Sequence, residues 1–191
     1  MNESFKAWGE NPDALVGYYP RIHTAKVNKK KKDSIVYHTW VSVFFRQSFS
    51  MILTKACFMH KKYLALYSNS NVHPTAITEY VDDKFNCEDI AMALLVSNAT
   101  KSSNSIGHVY TEGSAQDLGL FGGISTGSDH FTSRTDCLTD LISIYKDHGW
   151  GMPLYDLSLQ DVSWLNHFPG YWWQTGPSGI FEWFPSADIF Q

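Results

Sequence analysis

The 191-residue sequence has no apolar run near the length of a membrane span, no C-x-x-C pair and no surplus of positive charge. The first absence removes a spanning helix, which needs about 20 consecutive apolar residues. The second argues against zinc-ribbon and thioredoxin-like sites, because only Cys57, Cys87 and Cys137 are present. The third leaves no general electrostatic reason to bind nucleic acid or an anionic membrane. The formal net charge is −4 and the sequence pI is near 6.0. Met1 to Glu10 is polar and lacks the apolar centre of a secretory signal. No internal repeat is visible.

What is present fits one ordinary domain. Hydrophobic residues make up 43% of the chain and aromatic residues 15%. Much of the aromatic content lies in the last thirty or so residues, where Trp164, Trp172, Trp173 and Trp183 follow no clear period. The basic run Lys29 to Lys32 is local. It reads as a solvated loop insertion, with a nuclear-import or polyanion patch as the other reading. Asn2-Glu3-Ser4 and Asn98-Ala99-Thr100 are glycosylation triplets that matter only in a secretory compartment.

Local patterning predicts alternating strands and helices, hence an α/β class. Phe5 to Trp8 reads as a helix end closed by Asn11-Pro12-Asp13, and Ala14 to Tyr19 as a buried strand. Residues 24–34 read as a charged loop, and Ile35 to Phe45, rich in β-branched and aromatic residues, as one or two strands. Phe49 to Leu53 is a further buried strand. Helical spacing predicts a helix over Lys55 to Tyr67, with Ala56, Met59, Tyr63, Leu66 and Tyr67 available to one face, and a short helix over Thr75 to Tyr80. A clear helix over Asp89 to Asn98 has Ile90, Ala91, Leu94 and Leu95 as its apolar set. Residues 101–133 read as a long loop, and Cys137 to Tyr145 as a third helix. Gly151-Met152-Pro153-Leu154 is a turn into an extended segment.

Asn86-Cys87-Glu88-Asp89 stands at a predicted helix start. Two carboxylates there serve as helix caps, or as groups at the mouth of an α/β cleft. In the second role an anion stabilises positive charge developing at a sugar's anomeric carbon. Arg134, ahead of a helix start, is a surface residue or a partner for a diphosphate, whose geometry suits the guanidinium fork; His130 lies four residues earlier.

Several blocks carry a resemblance. Asn11-Pro12-Asp13 with Val16-Gly17-Tyr18-Tyr19-Pro20-Arg21-Ile22-His23 is one. Phe49-Ser50-Met51-Ile52-Leu53-Thr54-Lys55-Ala56 with His60-Lys61-Lys62-Tyr63 is a second, and Tyr80-Val81-Asp82 with Asn86-Cys87-Glu88-Asp89-Ile90-Ala91-Met92 a third. Arg134-Thr135-Asp136-Cys137 and Gly151-Met152-Pro153-Leu154 follow in order. Together they resemble the exostosin-type transferases of glycosyltransferase family 64, plant-type members most closely, over the C-terminal part of the catalytic domain. The resemblance divides the chain into residues 1–155, family-like, and 156–191, an aromatic-rich tail of no recognised kind.

The resemblance implies a truncated GT-A, Rossmann-like α/β fold. It implies transfer of a sugar from a UDP- or GDP-linked donor, with retention, to a glycan or glycolipid. Carried over by position, Asp89 and Arg134 are the catalytic pair, Asn86, Glu88, His130 and Arg21 line the substrate site, and Cys87 and Cys137 form a disulfide. It further implies Mn²⁺, held in the family by an Asp-x-Asp triplet that these 191 residues do not contain. Metal ligands are therefore not assigned to any residue here, and the chain by itself is expected to be inactive. The family's setting is the Golgi or endoplasmic reticulum lumen, although no signal or anchor is visible in this sequence. The alternative is a non-catalytic remnant acting as an interaction or regulatory subunit.

Overall fold

A computed structural model describes residues 2–26, 34–111 and 130–158. Within them the chain runs α1 (Asn2–Glu10), β1 (Leu15–Gly17), β2 (Pro20–Lys26), β3 (Ser34–His38), α2 (Trp40–Arg46), β4 (Ser48–Phe49) and β5 (Met51–Ile52). A 3₁₀ turn at Thr54–Ala56 leads into β6 (Cys57–Phe58). Then come α3 (Lys62–Tyr67), α4 (Thr75–Lys84), α5 (Glu88–Ser102), β7 (His108–Tyr110), α6 (His130–Asp147) and β8 (Leu157–Ser158). The class is mixed α/β, as expected. The strands form small sheets, β6-β1-β7, β3-β2-β5 and the pair β4-β8. Among the described residues only β1 and β7 pair in parallel, Val16 opposite Val109.

Helix α5 is the centre of the fold. Every residue from Asp89 to Ser97 is buried, so the helix is apolar nearly all round, as a fully enclosed helix must be. One side, Ile90, Ala91 and Leu94, packs with Leu138, Leu141 and Tyr145 of α6 and with Ile35 and Tyr37 of β3. The other side, Met92, Leu95 and Val96, packs with Leu15, Ile22, Phe44, Ile52 and Tyr63.

Gly107 and His108 set how closely α5 lies on the β1 sheet, and Gly17 how closely β1 lies on its neighbours Ile52 and Ala56. A Cβ on Gly107 would stand 2.8 Å from Thr100 Oγ1 and 3.2 Å from Ser97 Cα. A Cβ on Gly17 would stand 2.7 Å from the Ala56 carbonyl oxygen. His108 is fully enclosed. The Ile52 N–H points at its Nδ1 at 3.4 Å, so the ring proton sits on Nε2, which faces Ser97 Oγ at 2.8 Å and the Ala93 carbonyl at 3.2 Å. Burial pushes this imidazole down to about 4, against the pull of the Ala93 carbonyl.

The structure corrects several local expectations. Residues 24–26 belong to strand β2, which pairs antiparallel with β3 up to Lys26 opposite Ser34. The run Ile35 to Phe45 is one strand followed by a helix. A strand would put Val41, Val43 and Phe45 on one face, but only Val43 and Phe44 are buried, while Phe45 is 86% exposed. The Thr39 carbonyl accepts from the Ser42 and Val43 amides at 3.1 and 3.3 Å. Gln47, left-handed at φ 51°, then ends the helix. The expected helix over Lys55 to Tyr67 survives only as α3. Its first part is drawn to the β1 edge, where the Tyr18 amide donates to Ala56 O at 3.3 Å and Cys57 pairs opposite Gly17. Cys57 is therefore a half-buried strand residue with a free thiol, which burial raises to about 11. Helix α4 is longer than expected. The supposed loop 101–133 holds β7 and the first turn of α6. Lys29 to Lys32 and the four tail tryptophans lie outside the described residues.

Candidate active site

The turn between α4 and α5 shapes the site. Phe85 and Cys87 both adopt left-handed backbones, φ 50° and 80°, a conformation that costs a non-glycine residue about 1 kcal/mol or more. Between them the Asn86 side-chain oxygen accepts from the Cys87 amide at 2.8 Å. The chain thereby reverses within three residues and starts α5 with Glu88 and Asp89 in its first turn. Their negative charge suits the unpaired amides of a helix N-terminus. The two carboxylates then part. Glu88 is exposed, while Asp89 is buried.

Asp89 meets Arg134. The Arg134 Nη1–H donates to Asp89 Oδ1, with both side chains 8% exposed. The Ile90 amide adds a second donor to the same oxygen at 2.8 Å. The other carboxylate oxygen, Oδ2, has no protein hydrogen-bond partner among the described residues. Arg134 lies inside α6 and not ahead of it, on the face that also carries Leu138 and Leu141 into the core. The pair spans 45 residues of sequence, so nothing local enforces it.

A covalent tie does. Cys87 and Cys137 form a disulfide with a Cα–Cα distance of 6.1 Å, inside the usual range for a bridge. Cys87 is two residues before Asp89 and Cys137 three after Arg134, so the bond joins the two segments beside their charged side chains. Both sulfurs' residues are fully buried.

The remaining expected site residues have other contacts. Asn86 is committed to the turn through its oxygen. Arg21 lies on β2, where its Nε–H donates to Tyr37 Oη at 2.9 Å and its Nη1–H to the Pro20 carbonyl at 2.8 Å. Tyr37 is itself held by α6, since its amide donates to Thr135 Oγ1 at 3.3 Å. Thr135 is the residue after Arg134. His130 opens α6, and its side chain lies outside the described set.

Sequence reasoning missed Thr135 and Thr139. These hydroxyls, one helical turn apart, serve the open edge of β3. Ile35 donates to Thr139 Oγ1 at 3.3 Å, and the Thr139 hydroxyl donates back to the Ile35 carbonyl at 2.9 Å. Edge strands need such cover, and the clamp fixes the rotation of α6 that aims Arg134 inward. The i, i+4 threonine pair was the only signal. Tyr80 was also missed as a partner of α6: its hydroxyl donates to Asp140 Oδ2 at 2.8 Å.

Among the described residues no group of three His, Cys, Asp or Glu side chains is placed to hold a metal ion. No helix among them is long and apolar enough to cross a membrane.

Asp89 and Arg134 thus meet in a buried contact beside a disulfide, at the start of the central helix α5. The glycosyl transferase family 64 domain matches residues 1–164, and the chain belongs to that family. It is 36% identical over 159 residues to glycosylinositol phosphorylceramide mannosyl transferase 1 of Arabidopsis thaliana, a match covering 83% of this chain and 44% of that protein. It is 32% identical over 143 residues to exostosin-2 of Homo sapiens, covering 74% of this chain and 18% of that protein. Against glucosamine inositolphosphorylceramide transferase 1 of Arabidopsis thaliana the identity is 27% over 157 residues, with 78% and 19% covered. The chain thus spans less than half the length of each of these relatives.

Proposed function

We propose that this chain is the catalytic, acceptor-side part of a retaining glycosyltransferase with a GT-A, Rossmann-like arrangement. It moves a sugar from a UDP- or GDP-linked donor to a glycan or glycolipid. The observation that carries this reading is the buried contact between Asp89 and Arg134 within a family of sugar transferases. As the donor's glycosidic bond to the diphosphate breaks, positive charge grows at the anomeric carbon and negative charge on the leaving phosphate. Asp89 Oδ2 offers a fixed negative oxygen to the first, and the Arg134 guanidinium offers positive charge to the second. Preorganised charge of this kind needs no rearrangement during reaction. Glu88, Asn86, Arg21 and His130 are assigned to the substrate-binding margin of the same site. The Cys87–Cys137 bridge favours an oxidising compartment, in keeping with a Golgi or endoplasmic reticulum lumen.

The family resemblance implies Mn²⁺ at the donor diphosphate. The described residues do not fit that ion. Asp82 and Asp83 are adjacent on α4, both exposed, and Asp83 lies 3.5 Å from Lys84. Turnover of a donor, in this reading, requires an Asp-x-Asp segment beyond the residues in hand.

Nucleoside diphosphate release tests the proposal. The chain alone is compared with a chimera that adds the part of the Arabidopsis mannosyl transferase relative left uncovered by the match. The chimera should release GDP or UDP from a nucleotide sugar in the presence of Mn²⁺ and a glycosylinositol lipid, and the chain alone should not. Within the chimera, Asp89→Asn should lower the rate about 10²–10³-fold, the scale of losing one preorganised electrostatic group. Equal rates for chain and chimera would overturn the partial-domain reading. An Asp89→Asn chimera as fast as its parent would remove the assigned role.

A further inference from the structure

The triplet Asn98-Ala99-Thr100 lies in the second half of α5 and takes no part in the site above. Helix α5 is sealed from Asp89 to Ser97 and opens again at Asn98, which is half-buried, with Lys101 and Ser102 exposed beyond it. These three positions are spaced i, i+3 and i+4, so they share one face. The Asn98 carbonyl accepts from the Ser102 hydroxyl at 3.5 Å, while its side-chain amide has no partner among the described residues. A group attached to Nδ2 there breaks no hydrogen bond. Asn98 also stands about 13 Å along the helix from Asp89 and about half a turn around it. An adduct therefore leaves on the side of α5 away from the Asp89–Arg134 contact.

Thr100 behaves differently. It is 1% exposed. Its hydroxyl donates to the Val96 carbonyl at 2.8 Å and lies 3.2 Å from the Ser97 carbonyl. Gly107 is packed against it so closely that a Cβ would stand 2.8 Å from Thr100 Oγ1. Attachment of a glycan to asparagine requires the hydroxyl residue two positions on. On a helix, residues i and i+2 face different ways. The folded chain thus hides half of the triplet, and only the unfolded chain can present both residues together.

Synthesis order leaves time for that. Leu138, Leu141 and Tyr145, which close α5 from the α6 side, begin about 40 residues after Asn98. At about 5–20 residues per second this interval is about 2–8 s. A helix of about 15 residues is marginal in water without its packing partners, so the triplet stays open meanwhile. The Cys87–Cys137 bridge suits an oxidising compartment, and asparagine-linked glycans are added in such a lumen.

We infer that Asn98 is an N-glycosylation site, modified in the secretory lumen before α5 closes and carried on the one exposed stripe of that helix's second half. The donor is an oligosaccharide on a polyprenyl diphosphate, and the catalyst is a lumenal oligosaccharyl transferase. Asn98 Nδ2 forms a bond to the anomeric carbon, and the bond from that carbon to the diphosphate oxygen breaks. The diphosphate leaves with the bonding pair, and one amide proton passes to a base of the transferase. This inference uses the lumenal setting proposed above and none of the Asp89 chemistry.

The test expresses the full chain in the endoplasmic reticulum of cultured cells behind a cleavable leader, with Asn2→Gln so that one triplet remains. The chain should run as a glycoform that a peptide N-glycosidase collapses, and peptide mapping should then find Asn98 converted to aspartate. Asn98→Gln should abolish the glycoform, and Thr100→Ser, which keeps the hydroxyl, should retain it. A chain that leaves the lumen without a glycan overturns the site. A second arm offers microsomal transferase either a peptide of residues 94–104 or the folded, disulfide-bonded chain. The peptide should be modified and the folded chain should not, and equal modification of both would overturn the order of events. An unglycosylated chain beside an active chimera sinks this inference alone, and a glycosylated chain beside an inactive chimera sinks only the transferase reading.

Discussion

Arg134→Met is the most informative perturbation of this fold. It removes the partner of a carboxylate that is 8% exposed. The Asp89 side chain then keeps the Ile90 amide at 2.8 Å but loses its only ionic partner among the described residues. Breaking a buried ion pair from one side costs about 3–5 kcal/mol, because the remaining charge is left without water or partner. Total stability of a domain is about 5–15 kcal/mol, so the loss is a large share. At about 2–4 °C per kcal/mol for a chain of this size, the melting temperature should fall by roughly 6–20 °C. Asp89→Asn/Arg134→Met, which removes both charges and leaves a neutral amide against an apolar chain, should recover much of the loss. The sum of the single effects should therefore exceed the double effect by about 1–3 kcal/mol. Urea unfolding followed by circular dichroism, under non-reducing conditions, measures all four proteins. Midpoints should move while slopes stay constant. A loss below about 1 kcal/mol for Arg134→Met is the size of an exposed pair, and it would refute the claim that this contact is sealed from solvent.

Four other outcomes are expected. Non-reducing peptide mapping should recover Cys87 joined to Cys137, with Cys57 alkylated slowly because burial raises its thiol to about 11. Replacing both bridged cysteines by alanine should cost about 4 kcal/mol for a loop of this length, and an unchanged urea midpoint would show the bond to be idle. Stability should fall as pH drops from about 6.5, where an unfolded histidine takes up its proton, toward about 4, where buried His108 does so. The slope from His108 approaches about 1.4 kcal/mol per pH unit, and His73, also pushed down to about 4 by burial, adds in the same direction. His108→Gln should flatten that slope, and an unaltered slope would assign the acid sensitivity elsewhere. Gly17→Ala would place its methyl 2.7 Å from the Ala56 carbonyl and 2.8 Å from Ile52 Cγ2, so a loss of about 1–3 kcal/mol follows from overpacking. A neutral result in thermal melts would mean that the β1–β6 edge yields freely.

The sequence by itself determined the family, the α/β class and the central helix. Family blocks are strings of adjacent residues, and α5 announces itself because a helix enclosed on all sides must be apolar without interruption over Ile90 to Val96. The helical state of Trp40 to Arg46, the breaking of the Lys55 helix at the β1 edge and the burial of Asp89 but not Glu88 were decided by tertiary structure. In each case local propensity was ambiguous, and packing against a distant element chose the outcome. Arg134 shows the division most clearly. Its chain position suggested a residue ahead of a helix. Only the clamp of Thr135 and Thr139 on β3, together with the disulfide, turned it inward to Asp89. Contacts across 45 residues leave no periodic trace in a sequence, because the geometry that brings them together belongs to the packed helices and not to either segment alone.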